Sequence, residues 1–326
     1  MIIGMNAARL LFLAAILFVS TAPTSLAQTN GSLSFDNSSI TLQPAFPEPG
    51  QTVEATLNIY GTELFNADIV WSLNGVVIGD VNNRRTVEYT AGELGVTDTL
   101  TTTLVRPDQN NRRYSVSYEP SYLDIIIEAQ TRTPDFYQGR SVPSIGSQMN
   151  VTALLNNGSI RTENIIYTWR LNNKVLAGGP IKGSNQIAFD TPRGSESILT
   201  VELLNTSGVA IGRRSIVFNA VYPDVVFYES NTLFGQSHIA ITDGLIMTGP
   251  AATVIAEPYN LDIRTYNDPD INEWEIDGSQ TTSNGASPYR ITIQRTGESG
   301  SSDVSFHVRS TSQLLQGSKE SFDIIF

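Results

Sequence analysis

Three tryptophans, each opening the same short motif, constrain the fold of this chain more than any other feature of its sequence. They are the only tryptophans among 326 residues and are spaced about 100 residues apart, at Trp71, Trp169 and Trp274. In each motif, alternating apolar residues run into a pair built from Asn, Asp and Gly. These pairs are Asn74-Gly75, Asn172-Asn173 and Asp277-Gly278. The alternation predicts a β-strand with the indole on its apolar face, and the pair predicts a tight hairpin turn, because these residues tolerate a positive φ.

The neighbourhood of each tryptophan repeats as well. An alternating segment centred on a small residue precedes each one, at Ala55, Ala153 and Ala256. Another alternating segment follows at a nearly constant distance, starting at Leu100, Leu199 and Val304. Because period-two alternation and enrichment in Thr, Val and Ile are typical of strands, we expect an all-β chain without long helices. We interpret the repeats as three tandem immunoglobulin-like β-sandwich domains, 28–121, 122–221 and 222–326.

The N-terminus predicts export. An apolar run, Leu10 to Val19, follows Arg9 and leads to the small-residue site Ser25-Leu26-Ala27. This order is that of a secretory signal peptide, here 1–27, and the run is too short to cross a bilayer. An uncleaved N-terminal anchor is the alternative. After cleavage we expect no transmembrane span and a secreted, extracellular or cell-envelope location.

Composition excludes several classes of function. With 20 Lys and Arg against 32 Asp and Glu, the formal net charge is −12, which disfavours nucleic acid as a partner. The chain has no cysteine, so disulfides, thiol catalysis and a lipobox anchor are impossible, and a secreted chain without disulfides favours a bacterial source. The two histidines, His238 and His307, do not suggest a zinc site or a triad. We predict no catalytic residues and no cofactor, with calcium as the one alternative.

The calcium candidate is an acidic cluster around the third tryptophan. The ligand-type residues are Asp268, Asp270, Asn272 and Asp277. Their spacing resembles the start of an EF-hand loop, but Glu273 stands where that loop needs glycine. We therefore predict an acidic loop that serves solubility, with a calcium site as the alternative.

Three further groups have a structural and a functional interpretation. The three tryptophans are predicted core residues, with sugar stacking as the alternative. The pairs Arg84-Arg85, Arg112-Arg113 and Arg213-Arg214 are predicted to protect sheet edges, with an anionic polymer as the alternative ligand. The aromatic pairs Phe136-Tyr137 and Phe227-Tyr228, with Phe234 and Tyr259 nearby, are predicted to pack one sandwich against the next. The alternative is an exposed patch that contacts a partner.

The tryptophan motif and its partner strands resemble the immunoglobulin-like and PKD-like repeats of bacterial surface proteins, including secreted proteins of candidate-phylum bacteria. The chain departs from antibody-type domains in having no disulfide beside the tryptophan. The resemblance implies a spacer, an adhesin, an assembly subunit or a sugar-binding module. We therefore expect a non-enzymatic extracellular or cell-surface structural or interaction protein with a protein partner. A polysaccharide-binding module is the alternative, and a secreted hydrolase is a more remote one.

Overall fold

The computed structural model describes residues 40–326, except for 60–63, 65, 80–82, 108–109, 159, 177, 195, 284–286 and 298. The predicted signal peptide, 1–27, lies outside the described residues. The described part is almost entirely β-structure and contains three separate hydrophobic cores. Each core lies between two sheets, so the chain is a tandem array of three immunoglobulin-like β-sandwiches.

The first sandwich packs a three-stranded sheet against a four-stranded one. In spatial order, the first sheet contains β1 (Ile40–Gln43), β2 (Thr52–Leu57) and β5 (Thr86–Thr90). The second sheet contains β4 (Val76–Val77), β3 (Asp68–Leu73), β6 (Asp98–Val105) and β7 (Arg112–Tyr118).

The second sandwich repeats this arrangement with one extra strand. Its first sheet contains β13 (Gln186–Asp190), β9 (Gln148–Asn156) and β8 (Tyr122–Ala129). Its second sheet contains β11 (Lys174–Val175), β10 (Ile166–Leu171), β14 (Glu196–Leu204), β15 (Ala210–Asn219) and the short β12 (Ile181–Lys182), which also pairs with β10.

Compared with the first sandwich, the third has one more strand in each sheet. Its first sheet contains β17 (Gly235–Ala240), β16 (Asp224–Asn231), β19 (Ala251–Tyr259) and β22 (Arg290–Gln294). Its second sheet contains β18 (Leu245–Ile246), β24 (Gly317–Ile325), β23 (Ser301–Arg309), β20 (Ile271–Ile276) and β21 (Ser279–Thr281). β18 pairs with β24 in parallel, whereas the other described ladders are antiparallel.

The tryptophans occupy equivalent positions, on β3, β10 and β20. Each of these strands pairs with a longer neighbouring strand, which is β6, β14 and β23 respectively. Trp71 is 0% exposed, Trp169 2% and Trp274 1%. In the third core, the Trp274 ring lies 4.7 Å from that of Phe306 and 6.1 Å from that of Phe227. Burial of such large apolar side chains in each small core explains why every repeat keeps one.

The turn after each tryptophan strand has the predicted backbone. Both turn residues have positive φ in all three repeats, for example 51° at Asn74 and 82° at Gly75. The first turn residue also anchors its hairpin to the neighbouring strand through its side chain. Oδ1 of that residue accepts a hydrogen bond from a backbone N–H at 2.8 to 2.9 Å, with the pairs Asn74–Thr99, Asn172–Ile198 and Asp277–Asp303. The motif therefore fixes both a turn and a contact between strands.

Two short helical segments depart from the all-strand expectation, a three-residue 3-10 helix (Thr162–Asn164) between β9 and β10 and one α-helix. α1 (Ile263–Asn267) lies between β19 and β20 and is capped by Asp262, whose carboxylate accepts a hydrogen bond from the Arg264 N–H. Five residues are too few to produce a helical periodicity in a sequence, and the cap supplies local stabilisation instead. No helix among the described residues is long and apolar enough to cross a membrane.

Candidate functional site

The four acidic or amide residues named as calcium-site candidates do not come together. Asp268 caps the end of α1, Asp270 precedes β20, and Asp277 follows β20 at its other end. A six-residue strand separates Asp270 from Asp277 by about 20 Å, and Asn272 lies within the ladder between them. In the part of the chain that the structure describes, no three His, Cys, Asp or Glu side chains are grouped as metal ligands would be.

The carboxylates of this cluster have structural partners instead. Oδ2 of Asp270 accepts hydrogen bonds from the Thr311 N–H at 2.6 Å and the Ser310 hydroxyl at 3.3 Å, and these hydrogen bonds lower the Asp270 pKa. Oδ1 of Asp277 holds the hairpin turn described above. The spacing that resembled a calcium loop therefore belongs to the start and the end of one strand.

The junction between the second and third sandwiches contains a network of hydrogen bonds between polar and charged side chains. Asp262, 1% exposed, accepts hydrogen bonds from the Gln148 N–H at 2.8 Å and from Nε and Nη2 of Arg264 at 3.0 and 2.8 Å. Arg264 Nη2 also donates to Asp190 of the second sandwich at 2.9 Å. Burial alone would raise the pKa of Asp262, but the hydrogen bonds from Arg264 and Gln148 outweigh it and lower that pKa. The carboxylate thus stays ionised inside the junction.

Gln316, which lies more than 50 residues after Asp262 in the sequence, completes this network at the junction. Its side chain is 0% exposed, and its Nε2 donates to the Ser144 hydroxyl at 2.9 Å and to the Ile145 carbonyl at 2.7 Å. Its Oε1 accepts a hydrogen bond from the Asp262 N–H at 2.7 Å. One buried amide therefore ties two segments of the third sandwich to the second.

A backbone ladder and an ion pair extend the same junction. Arg132 of the second sandwich donates its N–H to the Leu261 carbonyl at 2.7 Å and accepts from the Asn260 N–H at 2.8 Å. Its Nε donates to the buried Glu257 carboxylate at 2.8 Å, and its guanidinium lies 4.9 Å from the Tyr266 ring centre. Burial raises the pKa of Glu257 and outweighs the lowering effect of Arg132.

The aromatic pairs of the sequence meet at this junction. Phe136 stacks on His238 at 4.6 Å and meets the edge of Tyr228 at 5.4 Å, while Tyr137 lies 6.4 Å from Tyr259. Phe227 instead belongs to the third core, and Phe234, at 84% exposed, lies on the surface. The predicted packing of one sandwich against the next is thus confirmed for Phe136 and Tyr137, but not for Phe227 and Phe234.

The junction between the first and second sandwiches has a different character. Arg214 of the second sandwich forms an ion pair with Glu48 of the first at 3.7 Å and another with Asp124 of its own sandwich at 3.9 Å, all three side chains being at least one-third exposed. A largely apolar cleft of about 290 Å³ lies between the sandwiches, bordered by Phe46 and Ile211. Since exposed ion pairs contribute little, this junction is held more weakly than the second one. Arg214 is therefore more than an edge charge, unlike the exposed pairs Arg84-Arg85 and Arg112-Arg113.

Sequence analysis missed the residues that bind the second junction, Asp262, Arg264 and Gln316. One signal was present: Ala256 precedes Trp274 by more residues than its counterparts precede their tryptophans, and α1 occupies that extra length. The equivalent connection of the second repeat is two residues shorter and holds only a three-residue 3-10 helix, Thr162–Asn164.

Comparison with known proteins finds only remote structural likenesses. No protein-family profile and no curated protein matches the chain. Among solved structures, a fibronectin-III array of RIM-binding protein is similar at 12% identity, with 87% of this chain and 96% of that chain covered and a TM-score of 0.28. Fibronectin(III)-like modules of Clostridium thermocellum CbhA match at 11% identity over 56% and 93% of the two chains, with a TM-score of 0.27. Sidekick-1 immunoglobulin domains 1–4 match at 11% identity over 89% and 74%, with a TM-score of 0.21.

Proposed function

We propose that this chain is a non-enzymatic extracellular or cell-surface protein that works as a partly rigid spacer and presents its third sandwich to a protein partner. The observation that supports this most is the buried polar network around Asp262 at the second junction. Networks in which every member is hydrogen-bonded fix one geometry, because any displacement leaves buried polar groups without partners. The first junction, with its single exposed ion pair between Glu48 and Arg214 and its cleft, provides a softer joint.

The proposal predicts two different joint stiffnesses, which distance measurements between spin labels can compare. The chain has no native cysteine, so introduced cysteines are the only labelling sites. Lys174→Cys with Gln280→Cys spans the second junction, and Val76→Cys with Lys174→Cys spans the first. All three positions are exposed. We expect a narrow distance distribution across the second junction and a broader one across the first.

A double variant tests whether the buried polar network causes the stiffness of the second junction. Asp262→Ala combined with Gln316→Ala should broaden the distribution across the second junction while leaving the first unchanged. Equal widths across both junctions in the unmodified protein would contradict the spacer proposal.

The extracellular location needs its own experiment. Fractionation of cells that produce the protein, followed by N-terminal sequencing, should find a mature chain beginning near Gln28 in the medium or the envelope. A cytoplasmic chain that retains Leu10 to Val19 would refute both export and cleavage. A chain in the envelope that keeps this run would favour the uncleaved anchor.

The polysaccharide alternative keeps exposed Phe234 and the exposed pair Arg84-Arg85, but other groups that suggested it are engaged within the molecule. Phe136 lies against His238 and Tyr228, and Phe227 lies in the third core. Arg213 and Arg214 pair with carboxylates. We therefore propose a protein partner rather than a glycan.

A further inference from the structure

One long sheet edge of the third sandwich lacks the charged side chains that the other long edges of the described residues carry. Among the described edge strands of five residues or more, six carry at least one charged side chain. These are Glu88 on β5, Arg112 on β7, Asp124 on β8, Asp190 on β13, Arg213 on β15 and Arg290 on β22. The seventh, β17, contains no Lys, Arg, Asp or Glu. Since charges on edge strands discourage association, their absence from β17 singles this edge out as a contact surface.

The hairpin that contains β17 exposes large apolar side chains. Leu233 is 79% exposed, Phe234 84% and Ile239 81%. The pairing of β17 with β16 shifts register between Gln236 and Ala240, a bulge that leaves Ile239 outside the regular ladder. The Ser237 hydroxyl accepts a hydrogen bond from the Ile239 N–H at 3.1 Å, so the bulge is satisfied locally. A bulge re-aims a side chain and interrupts pairing, so this edge presents side chains rather than a template for another strand.

The rim of this surface is acidic. A groove of about 350 Å³ beside Ile239 is bordered by the exposed carboxylates of Glu229 and Asp243. The sequence contains no Lys or Arg between Arg214 and Arg264, so no Lys or Arg of β16, β17 or β18 offsets these carboxylates. The result is an apolar surface with uncompensated negative charge at its edge.

We propose that the apolar hairpin surface, defined by Leu233, Phe234 and Ile239 with Glu229 and Asp243 at its rim, docks a separate protein that has an apolar pocket rimmed by Lys and Arg. This proposal rests on the proposed function and names the surface through which it acts. Charge complementarity selects the partner, because opposite charges at a rim steer association and exclude wrong partners. A second copy of this chain, with a net charge of −12, and an anionic lipid surface are both repelled by the same rim.

The test places a photo-reactive benzophenone amino acid at Phe234 in the full-length protein, and at Val76 in a matched control. Val76 is 73% exposed on an edge strand of the first sandwich. Irradiation in cells that produce the protein should give a cross-linked product with another protein from position 234 and not from position 76. The cross-linked peptide should contain Lys or Arg beside apolar residues.

Charge reversal decides whether the captured protein is the proposed partner. Glu229→Lys with Asp243→Lys should reduce the yield at position 234 by about five-fold or more, since the rim would then repel a basic partner. The control Glu88→Lys, an exposed residue of the first sandwich, should leave the yield unchanged. All five substituted positions, 76, 88, 229, 234 and 243, are exposed, so these variants are expected to fold.

Several results would overturn the docking proposal. These are a yield insensitive to charge reversal, a product equally abundant from position 76, or no product from position 234. A cross-link between two copies, or binding of the purified protein to phosphatidylglycerol vesicles, would identify the occupant as one that we exclude. The spin-label distances across the junctions are independent of these outcomes, so the spacer function can survive a failure of the docking proposal.

Discussion

The substitution Asn74→Asp is expected to destabilise the first sandwich strongly, although aspartate is the native residue at the same turn position of the third repeat. Asn74 Nδ2 donates a hydrogen bond to Oδ1 of Asp98 at 2.9 Å, and Asp98 is only 1% exposed. The same carboxylate accepts from the Gly92 N–H at 2.7 Å and the Tyr118 hydroxyl at 3.1 Å. An aspartate at position 74 replaces a donor by a second negative charge beside a buried carboxylate.

The residue opposite the turn explains why an aspartate at this turn position is expected to cost less in the other two repeats. The residue equivalent to Asp98 is Ser197 in the second sandwich, where Asn172 Nδ2 lies 3.4 Å from the serine hydroxyl. In the third repeat it is Ser302, and there the native turn residue is Asp277. A hydroxyl accepts a hydrogen bond from an amide and donates one to a carboxylate, so either turn residue is satisfied.

The magnitude follows from the geometry. Two unit charges about 4 Å apart repel by about 4 kcal/mol at an effective dielectric constant of about 20, and loss of the amide hydrogen bond adds about 1 kcal/mol. Because the exposed turn can relax, we expect a net loss of about 3 kcal/mol for Asn74→Asp. For Asn172→Asp we expect less than about 1 kcal/mol, since the partner is Ser197.

Hydrogen exchange measured by mass spectrometry resolves the effect by sandwich in the full-length protein. Peptides from β6 and β3 should lose protection in Asn74→Asp, whereas peptides from β14 and β10 should change little in Asn172→Asp. Acidification should restore protection in Asn74→Asp, because a protonated carboxyl again donates a hydrogen bond. Equal losses in the two variants, or a loss in Asn74→Asp that does not depend on pH, would refute this reasoning.

Three further predictions concern the cores and the junctions. Trp71→Phe should cost about 1 to 2 kcal/mol more than Trp169→Phe in chemical denaturation, because Nε1 of Trp71 donates to a backbone carbonyl at 2.9 Å, whereas no described residue accepts from Nε1 of Trp169; equal costs would contradict this. Gly95→Ala should broaden the spin-label distance distribution across the first junction more than Gly75→Ala does. Both have positive φ, but only at Gly95 would a Cβ meet backbone of the second sandwich, at 2.3 Å. Because the pKa of Asp262 is lowered, its ionised carboxylate stabilises the second junction at pH values above the ordinary pKa of 3.8. This contribution should be lost as the pH falls through the lowered pKa. Asp262→Asn should abolish that acid-induced broadening of the label distances, and persistence of the broadening would assign it to another group.

Much of the fold could be predicted because it is local. The alternation around Trp71 fixes which face of β3 is buried, since one residue of slip would expose the indole. Asn74-Gly75 fixes the turn, because its backbone conformation is determined by two residues. A motif that recurs three times needs no knowledge of distant contacts to be interpreted as three similar domains.

The second junction could not be predicted in the same way. Gln316 lies far along the chain from Ser144, and nothing in either neighbourhood indicates that they bond. The placement of the acidic residues near Trp274 shows the same limit: their spacing resembles a shared loop, but β20 places Asp270 and Asp277 at opposite ends. The bulge that exposes Ile239 likewise depends on how β17 pairs with β16.

The sequence by itself thus determined the repeating unit, its strands, its turns and its buried tryptophans, because these depend on side-chain periodicity and on backbone preferences within a few residues. Only the tertiary structure decided which polar residues join one sandwich to the next and which edge remains apolar and uncharged. Those properties depend on residues brought together from distant parts of the chain, where burial and hydrogen-bond geometry, rather than local pattern, set the energy.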